Sequence, residues 1–154
     1  MGSKSLAVAQ YLVDQAPTAV TPMKLLKLTY IAHGYMLGLH GEPLLDEQVQ
    51  AWKFGPVVKS VYQAVRDYCS QPVTKVAGAS DWGGEFTRRE TEVMDTVLEM
   101  YGRIDAVKLS GATHNPGTPW LTVWSLHVQD AEISNDLITN FYRRILAMPS
   151  HSAL

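Results

Sequence analysis

TPMKLLKLTYIAHGYMLGLHG, from Thr21 to Gly41, carries the marks of one helix from end to end. Thr21 is an N-cap whose hydroxyl can accept from a free first-turn N–H, and Pro22 stands at the first helical position, where its missing N–H costs nothing. Leu25, Leu28, Ala32, Tyr35 and Leu39 recur at spacings of three and four, the period of a helix face. Leu26, His33, Met36 and Leu37 widen that face and leave a narrow arc, Lys24, Lys27, Gly34 and Gly38, for solvent. A helix apolar over most of its circumference is buried on several sides, so the remaining elements are expected to pack around it. Gly41 ends it with a residue free to turn left-handed. On this reading His33 is a hydrogen-bonded core histidine. Gly34 and Gly38 are spaced to let another helix come close.

Outward from this core, Ser5 to Ala16 reads as a short amphipathic helix, with Leu6, Ala9, Leu12, Val13 and Ala16 on one face and Pro17 as its stop. After the turn-rich link GEPLLDE, Val49 to Phe54 has the aromatic and β-branched character of a strand. Gly55-Pro56 then opens a helix lined by Val57, Val58, Val61, Tyr62 and Val65, and Pro72 to Val76 (PVTKV) is a second strand able to pair with the first. GASDWGGE is the loosest stretch. Thr87-Arg88-Arg89-Glu90 is a capping box opening a helix that buries Val93, Met94, Val97, Leu98 and Tyr101 and closes at Gly102. Asp105 caps a short helix through Leu109, HNPGTPW is a turn, and Thr118-Pro119 repeats the start seen at Thr21-Pro22. Ser134 caps the last helix, with Ile133 and Ile138 as its staple and Leu137, Ile138, Phe141, Tyr142 and Ile145 as its buried stripe. The fold class is mainly α: one compact helical domain over residues 1–148 around a buried central helix, with a small two-stranded β element and a flexible C-terminal tail over 149–154.

The composition is that of a globular domain, with 46% hydrophobic and 18% charged residues among 154. A net charge of −2 supplies no global field toward nucleic acid or anionic membrane. One cysteine, Cys69, excludes an internal disulfide, suits a reducing cytoplasm, and reads as a packed thiol. No apolar run approaches the roughly 18 to 20 residues needed to span a bilayer. No signal peptide or myristoylation motif opens the chain.

Catalytic chemistry is sparse. His114, between Thr113 and Asn115 with Asp105 upstream, is the one candidate acid–base residue, and it lacks a clear partner. His40 and His127 have no second ligand at metal spacing, and no phosphate-binding glycine motif occurs, so neither metal nor cofactor is expected. Aromatic and proline residues are instead concentrated outside helix interiors: Trp52, Phe54, Pro56, Trp82, Trp120 and Trp124. Four tryptophans in a chain of 154 residues can plug a small core or anchor a partner, and for Trp52 and Trp120 both readings stand.

Taken in order, these segments resemble the Panacea domain, the SocA-like antitoxin domain. KLLKLTYIAHGYMLGLHGEPLLDEQVQAWKFGPVVKSVY, Lys24 to Tyr62, is similar to the family's K-L-L-x-L-x-Y-x-A-x-G helix, its G-x-P-L turn and its W-x-x-G-P-V stretch before V-Y. Leu109 to Trp120 (LSGATHNPGTPW) is similar to its T-H…P-W element after Tyr101-Gly102, and ISNDLITNFY to its closing helix. Phe54 stands where many relatives carry a polar residue or His, which suits an apolar contact. The resemblance covers roughly Ser5 to Leu146 and marks Lys24, Leu25, Leu28, Tyr30, Gly34, Gly55 and His114 as motif residues.

The resemblance implies an antitoxin that binds a cognate protein toxin, is not itself an enzyme, and delivers the toxin to a Clp-type ATP-dependent unfoldase-protease. Trp52, Lys53, Phe54, Pro56, Tyr62 and Trp120 are the expected toxin-facing residues. The Gly78 to Glu85 loop or the tail after Met148 is expected to face the protease. A stoichiometric blocker that also represses its operon is the alternative. Its candidate basic faces, Lys24/Lys27 and Arg143/Arg144, hold two charges each, few for a DNA reader.

Overall fold

In the computed structural model, which describes residues 2–148, helix α2 (Pro22–His40) is the element against which most others pack. Its ends form as the sequence requires: Thr21 Oγ1 accepts from Lys24 N at 3.4 Å, and Gly41 takes φ 68° with its N–H on Leu37 O. Around it lie α1 (Ser3–Gln15), α3 (Lys59–Val65), α4 (Arg88–Tyr101), α5 (Ala106–His114) and α7 (Asn135–Leu146). A small antiparallel sheet of β1 (Val49–Trp52), β2 (Gly55–Val57) and β3 (Glu132–Ile133), in the order β2-β1-β3, is covered by α6 (Pro119–Trp124). The domain is thus mainly helical, as expected. The expected tail over 149–154 lies outside the described residues.

The arc of α2 expected to face solvent is buried. A Cβ on Gly34 would stand 2.2 Å from Tyr142 Cε2 and one on Gly38 2.8 Å from Tyr142 Cβ, so α7 seats directly on the two glycines. Lys24 and Lys27 are only 6% and 4% exposed. Long aliphatic stems let lysine cover apolar surface while its head finds a polar group, which sequence periodicity does not register. Lys24 Nζ donates to Gly102 O at 2.5 Å and Thr18 Oγ1 at 3.3 Å, placing a positive charge at the carbonyl end of α4. Leu39, placed on the buried face by its spacing, is exposed.

The link Gly41–Glu47 organises more than a turn. His33, fully buried, receives Leu44 N and Leu45 N on Nδ1 at 3.2 and 3.3 Å, and its Nε2 lies 3.1 Å from Asn135 Oδ1 on α7. Two consecutive carboxylates then cap two helices. Asp46 accepts from Gly2 N, Lys4 N and Ser5 N at 3.0–3.2 Å, which lets α1 begin at Ser3 instead of the expected Ser5. Glu47 receives Ser60 N and the Ser60 hydroxyl at the start of α3, whose own N-cap residue, Val58, makes no side-chain cap.

Because Nδ1 accepts two backbone N–H groups, His33 is held neutral, and burial pushes its pKa down to about 4. Below the ordinary histidine value of about 6.5 the unfolded chain binds a proton that the folded chain refuses, so stability rises with pH between about 4 and 6.5. The expected loss on acidification from pH 7.5 to 5 is about 2 kcal/mol. Urea unfolding at the two pH values checks this, and a His33→Gln variant should show a smaller difference.

The β element departs from expectation in three respects. Gly55-Pro56 does not open a helix but forms β2, with Pro56 opposite Ala51; on an edge strand the missing proline N–H is tolerated. Phe54 lies in the turn, not in a strand. Residues 72–76 do not join the sheet: Val73 N donates to Val20 O at 2.7 Å and Val76 N to Gln10 Oε1 at 2.7 Å, while β1 is flanked by β2 and β3. The third strand, β3, pairs only Glu132 and Ile133 with Gln50 and Val49, too short to leave a periodic signal. The helical ends fare better. The Thr87–Glu90 capping box and the Asp105, Thr118 and Ser134 caps all form, although α5 continues past Leu109 to His114. On α7 only Ile138 and Tyr142 of the expected stripe are fully buried, with Phe141 and Ile145 half-buried and Leu137 exposed.

A candidate partner-binding surface

The register Trp52↔Gly55 leaves Lys53 and Phe54 as a two-residue turn between β1 and β2. Neither takes a positive φ; Gly55 does, at +124°. Glycine is required there a second time, because a Cβ would stand 2.7 Å from His114 Cε1. The His114 ring is itself fixed, with Nδ1 2.7 Å from Ser110 O and the ring centroid 4.5 Å from that of Trp120. Trp120 is buried and donates from Nε1 to Trp52 O at 2.6 Å. His114, Trp120 and Gly55 thus clamp the hairpin tip from behind. Asp105, which the sequence sets upstream of His114, caps the other end of α5, about 13 Å away along the axis, so no acid–base pair forms between them.

On the outer side of the clamp stands an aromatic ridge. Trp52 meets Tyr62 of α3 edge to face, with centroids 5.0 Å apart, and its Nε1 donates to Gln50 Oε1 at 2.8 Å. Both side chains are half-buried, whereas Phe54 at the tip is 70% exposed. Lys53 Nζ lies 5.5 Å from the Phe54 ring centroid. Of the expected partner-facing residues, Trp52, Lys53, Phe54 and Tyr62 come together here, while Pro56 and Trp120 are buried beneath them.

The ridge separates two grooves. The larger, about 520 Å³, runs from Trp52, Phe54 and Tyr62 to Trp124 and the 127–130 turn, where His127 and Asp130 both take positive φ. The smaller, about 250 Å³, runs from the ridge to Met23, Leu26, Lys27, Arg66 and Cys69. Cys69 is exposed at the end of a short 3-10 turn, not packed as expected, because α3 ends at Val65 and carries its last buried side chain there. Sequence reading missed Met23 and the 127–130 turn. Met23 is an apolar residue outside the Leu25/Leu28/Ala32/Tyr35 stripe, a signal legible in the sequence, and it is 50% exposed; the turn leaves no such signal.

The Gly78–Glu85 loop is more ordered than its composition implies. It packs on α1, Trp82 lies against Phe86 with centroids 4.8 Å apart, and Lys4 Nζ stands 5.9 Å from the Trp82 ring. It shares no lining residue with the two grooves at the ridge. Among the described residues no helix is long and apolar enough to cross a membrane, and no group of three or more His, Cys, Asp or Glu side chains is placed to hold a metal ion.

Comparison with known proteins places the chain in a family. The family described as "Antitoxin SocA-like, Panacea domain" matches residues 25–121, more than half of the chain, including the hairpin, Tyr62, His114 and Trp120. "Antitoxin SocA" of Caulobacter vibrioides (strain NA1000 / CB15N) is 32% identical in an alignment 125 residues long that covers 74% of this chain. The match spans 66% of that relative's own length, just under two thirds. No solved structure matches. On the family match and this identity, and on the ordered motifs now seen to build one hairpin and its clamp, the chain belongs to the SocA-like antitoxin family, the Panacea domain.

Proposed function

We propose that this chain is an antitoxin that binds its cognate toxin through the Trp52–Phe54–Tyr62 ridge and acts as an adaptor that brings the toxin to a Clp-type protease. The observation that carries the binding surface is an exposed aromatic tip, Phe54, on a hairpin held rigid from behind by Gly55, His114 and Trp120. Rigid aromatic anchors lose little entropy on binding and dominate interface energetics. An adaptor also needs a second contact, which can be weak once the toxin is held. The Gly78–Glu85 loop, on α1 and apart from the ridge, is such a surface.

The test uses the protein encoded beside this gene as toxin. Phe54→Ala should weaken its binding about 10- to 30-fold. Folding stability should change by no more than about 0.5 kcal/mol, since the side chain is largely exposed. Cys69, the one cysteine of the chain, lines the smaller groove, so saturating toxin should slow its reaction with a maleimide at least about tenfold, a protection reporting occupancy of the site. With unfoldase-protease and ATP, toxin should disappear only when this chain is added, and the chain itself should survive several rounds. Degradation of toxin at the same rate without it, or consumption of the antitoxin alone, would leave a stoichiometric blocker. Undiminished binding by Phe54→Ala would place the interface elsewhere.

A further inference from the structure

The smaller groove contains a charge that no acidic side chain among the described residues balances. Lys27 is 4% exposed, yet its Nζ has a single hydrogen-bond partner among the described residues, Phe54 O, at 3.5 Å. The ion pairs among the described residues are Lys4–Glu90, Arg88–Glu92 and Arg89–Glu42, so no carboxylate of those residues lies within 4.0 Å of it. Lys24, one turn earlier on the same helix, differs. Burial draws both ammonium groups below the ordinary lysine range, but Lys24 donates to Gly102 O at 2.5 Å and the charge of Asp105 works against its shift, whereas burial alone acts on Lys27. Nor does the groove supply an acid. Its other charged lining residue is Arg66, and its walls are apolar, chiefly Met23, Leu26, Phe54 and Tyr62.

A buried ammonium with one long hydrogen bond is costly for the free protein, and an opposite charge brought to it relieves that cost. We propose that this groove receives a segment of the toxin presenting a carboxylate side chain, Asp or Glu, to Lys27 Nζ, with a neighbouring apolar side chain against Met23, Leu26 and Phe54. Arg66 at the same groove adds a second positive charge, which favours encounter with an acidic segment and rejects a basic one. The inference rests on the ridge being the toxin-facing surface. It adds the chemistry by which the partner is chosen.

Calorimetry with the protein encoded beside this gene tests it, using Lys27→Met, Lys27→Gln and Phe54→Ala. Lys27→Met keeps an unbranched apolar stem and removes the charge; Lys27→Gln keeps a donor for Phe54 O. Both should weaken binding at least about 30-fold, because the toxin carboxylate would be buried without its partner. Lys27→Met should nevertheless unfold at a temperature equal to or above that of the wild type, since an unpaired buried charge has gone. Loss of affinity together with retained stability is the signature that a merely structural lysine would not produce. If Lys27→Met fails to fold, Lys27→Gln decides. Wild-type affinity in the lysine variants, with Phe54→Ala still weakened, would overturn the carboxylate pairing and leave the ridge as the interface. Wild-type affinity in all three would overturn both.

Discussion

Leu28→Asp should leave this domain unfolded at neutral pH and 25 °C. Leu28 is 0% exposed in the middle of α2, on the face shared with Leu25, Ala32 and Tyr35, and belongs to the single hydrophobic core. A carboxylate there has no cation to meet: Lys24 is engaged with Gly102 O, and Lys27 points to the hairpin turn. Burying an ionised carboxylate without a partner, together with losing the leucine, costs more than about 5 kcal/mol, comparable to the whole stability of a domain. Far-ultraviolet circular dichroism should lose the helical signal and its cooperative melt. A native-like melt would mean that α2 is not the buried element.

Gly34→Ala, the smallest change available at its site, should lower stability by about 3 kcal/mol, or roughly 6–12 °C in Tm. In an exposed helix the same substitution is stabilising by about 0.5–1 kcal/mol. Here the new methyl would stand 2.2 Å from Tyr142 Cε2. The tyrosine cannot swing away, since its ring is 2% exposed and meets Tyr30, Tyr35 and Phe141 at centroid distances of 6.2, 5.8 and 5.1 Å. A double-mutant cycle isolates the cause. Tyr142→Ala is itself destabilising, by about 3–5 kcal/mol, but in that background Gly34→Ala should be neutral or favourable. An equal loss in both backgrounds would show that something other than the α2–α7 approach requires glycine. Denaturant unfolding of the four proteins supplies the measurement.

These two substitutions bear on function through placement. α7 and α2 share the His33–Asn135 hydrogen bond, and His33 holds the link whose Glu47 caps α3, the helix carrying Tyr62. The hairpin tip is reached from the other direction, through α5, His114 and Trp120. The ridge is therefore pre-set by the core on both flanks, which lowers its own ordering cost in any complex it forms.

Much of this molecule is determined by local sequence. The span of α2, its threonine cap and its terminal glycine, the capping box of α4, and the caps of α5, α6 and α7 rest on interactions within a few residues, so their residue types at those spacings suffice. The order of motifs carries family membership for the same reason: it is a property of the chain read in sequence. The rest depended on contacts between residues distant along the chain. Lys24 and Lys27 are buried because Gly102 and the hairpin turn supply oxygens to them. Gly55-Pro56 is a strand because β1 lies beside it and His114 presses on the glycine. Residues 72–76 stay out of the sheet because Val20 and Gln10 take their N–H groups while β2 and β3 flank β1. Of the tryptophans, Trp120 became the support and Trp52 the displayed face through one hydrogen bond spanning 68 residues, and no periodicity within either segment encodes which of the two a partner can touch.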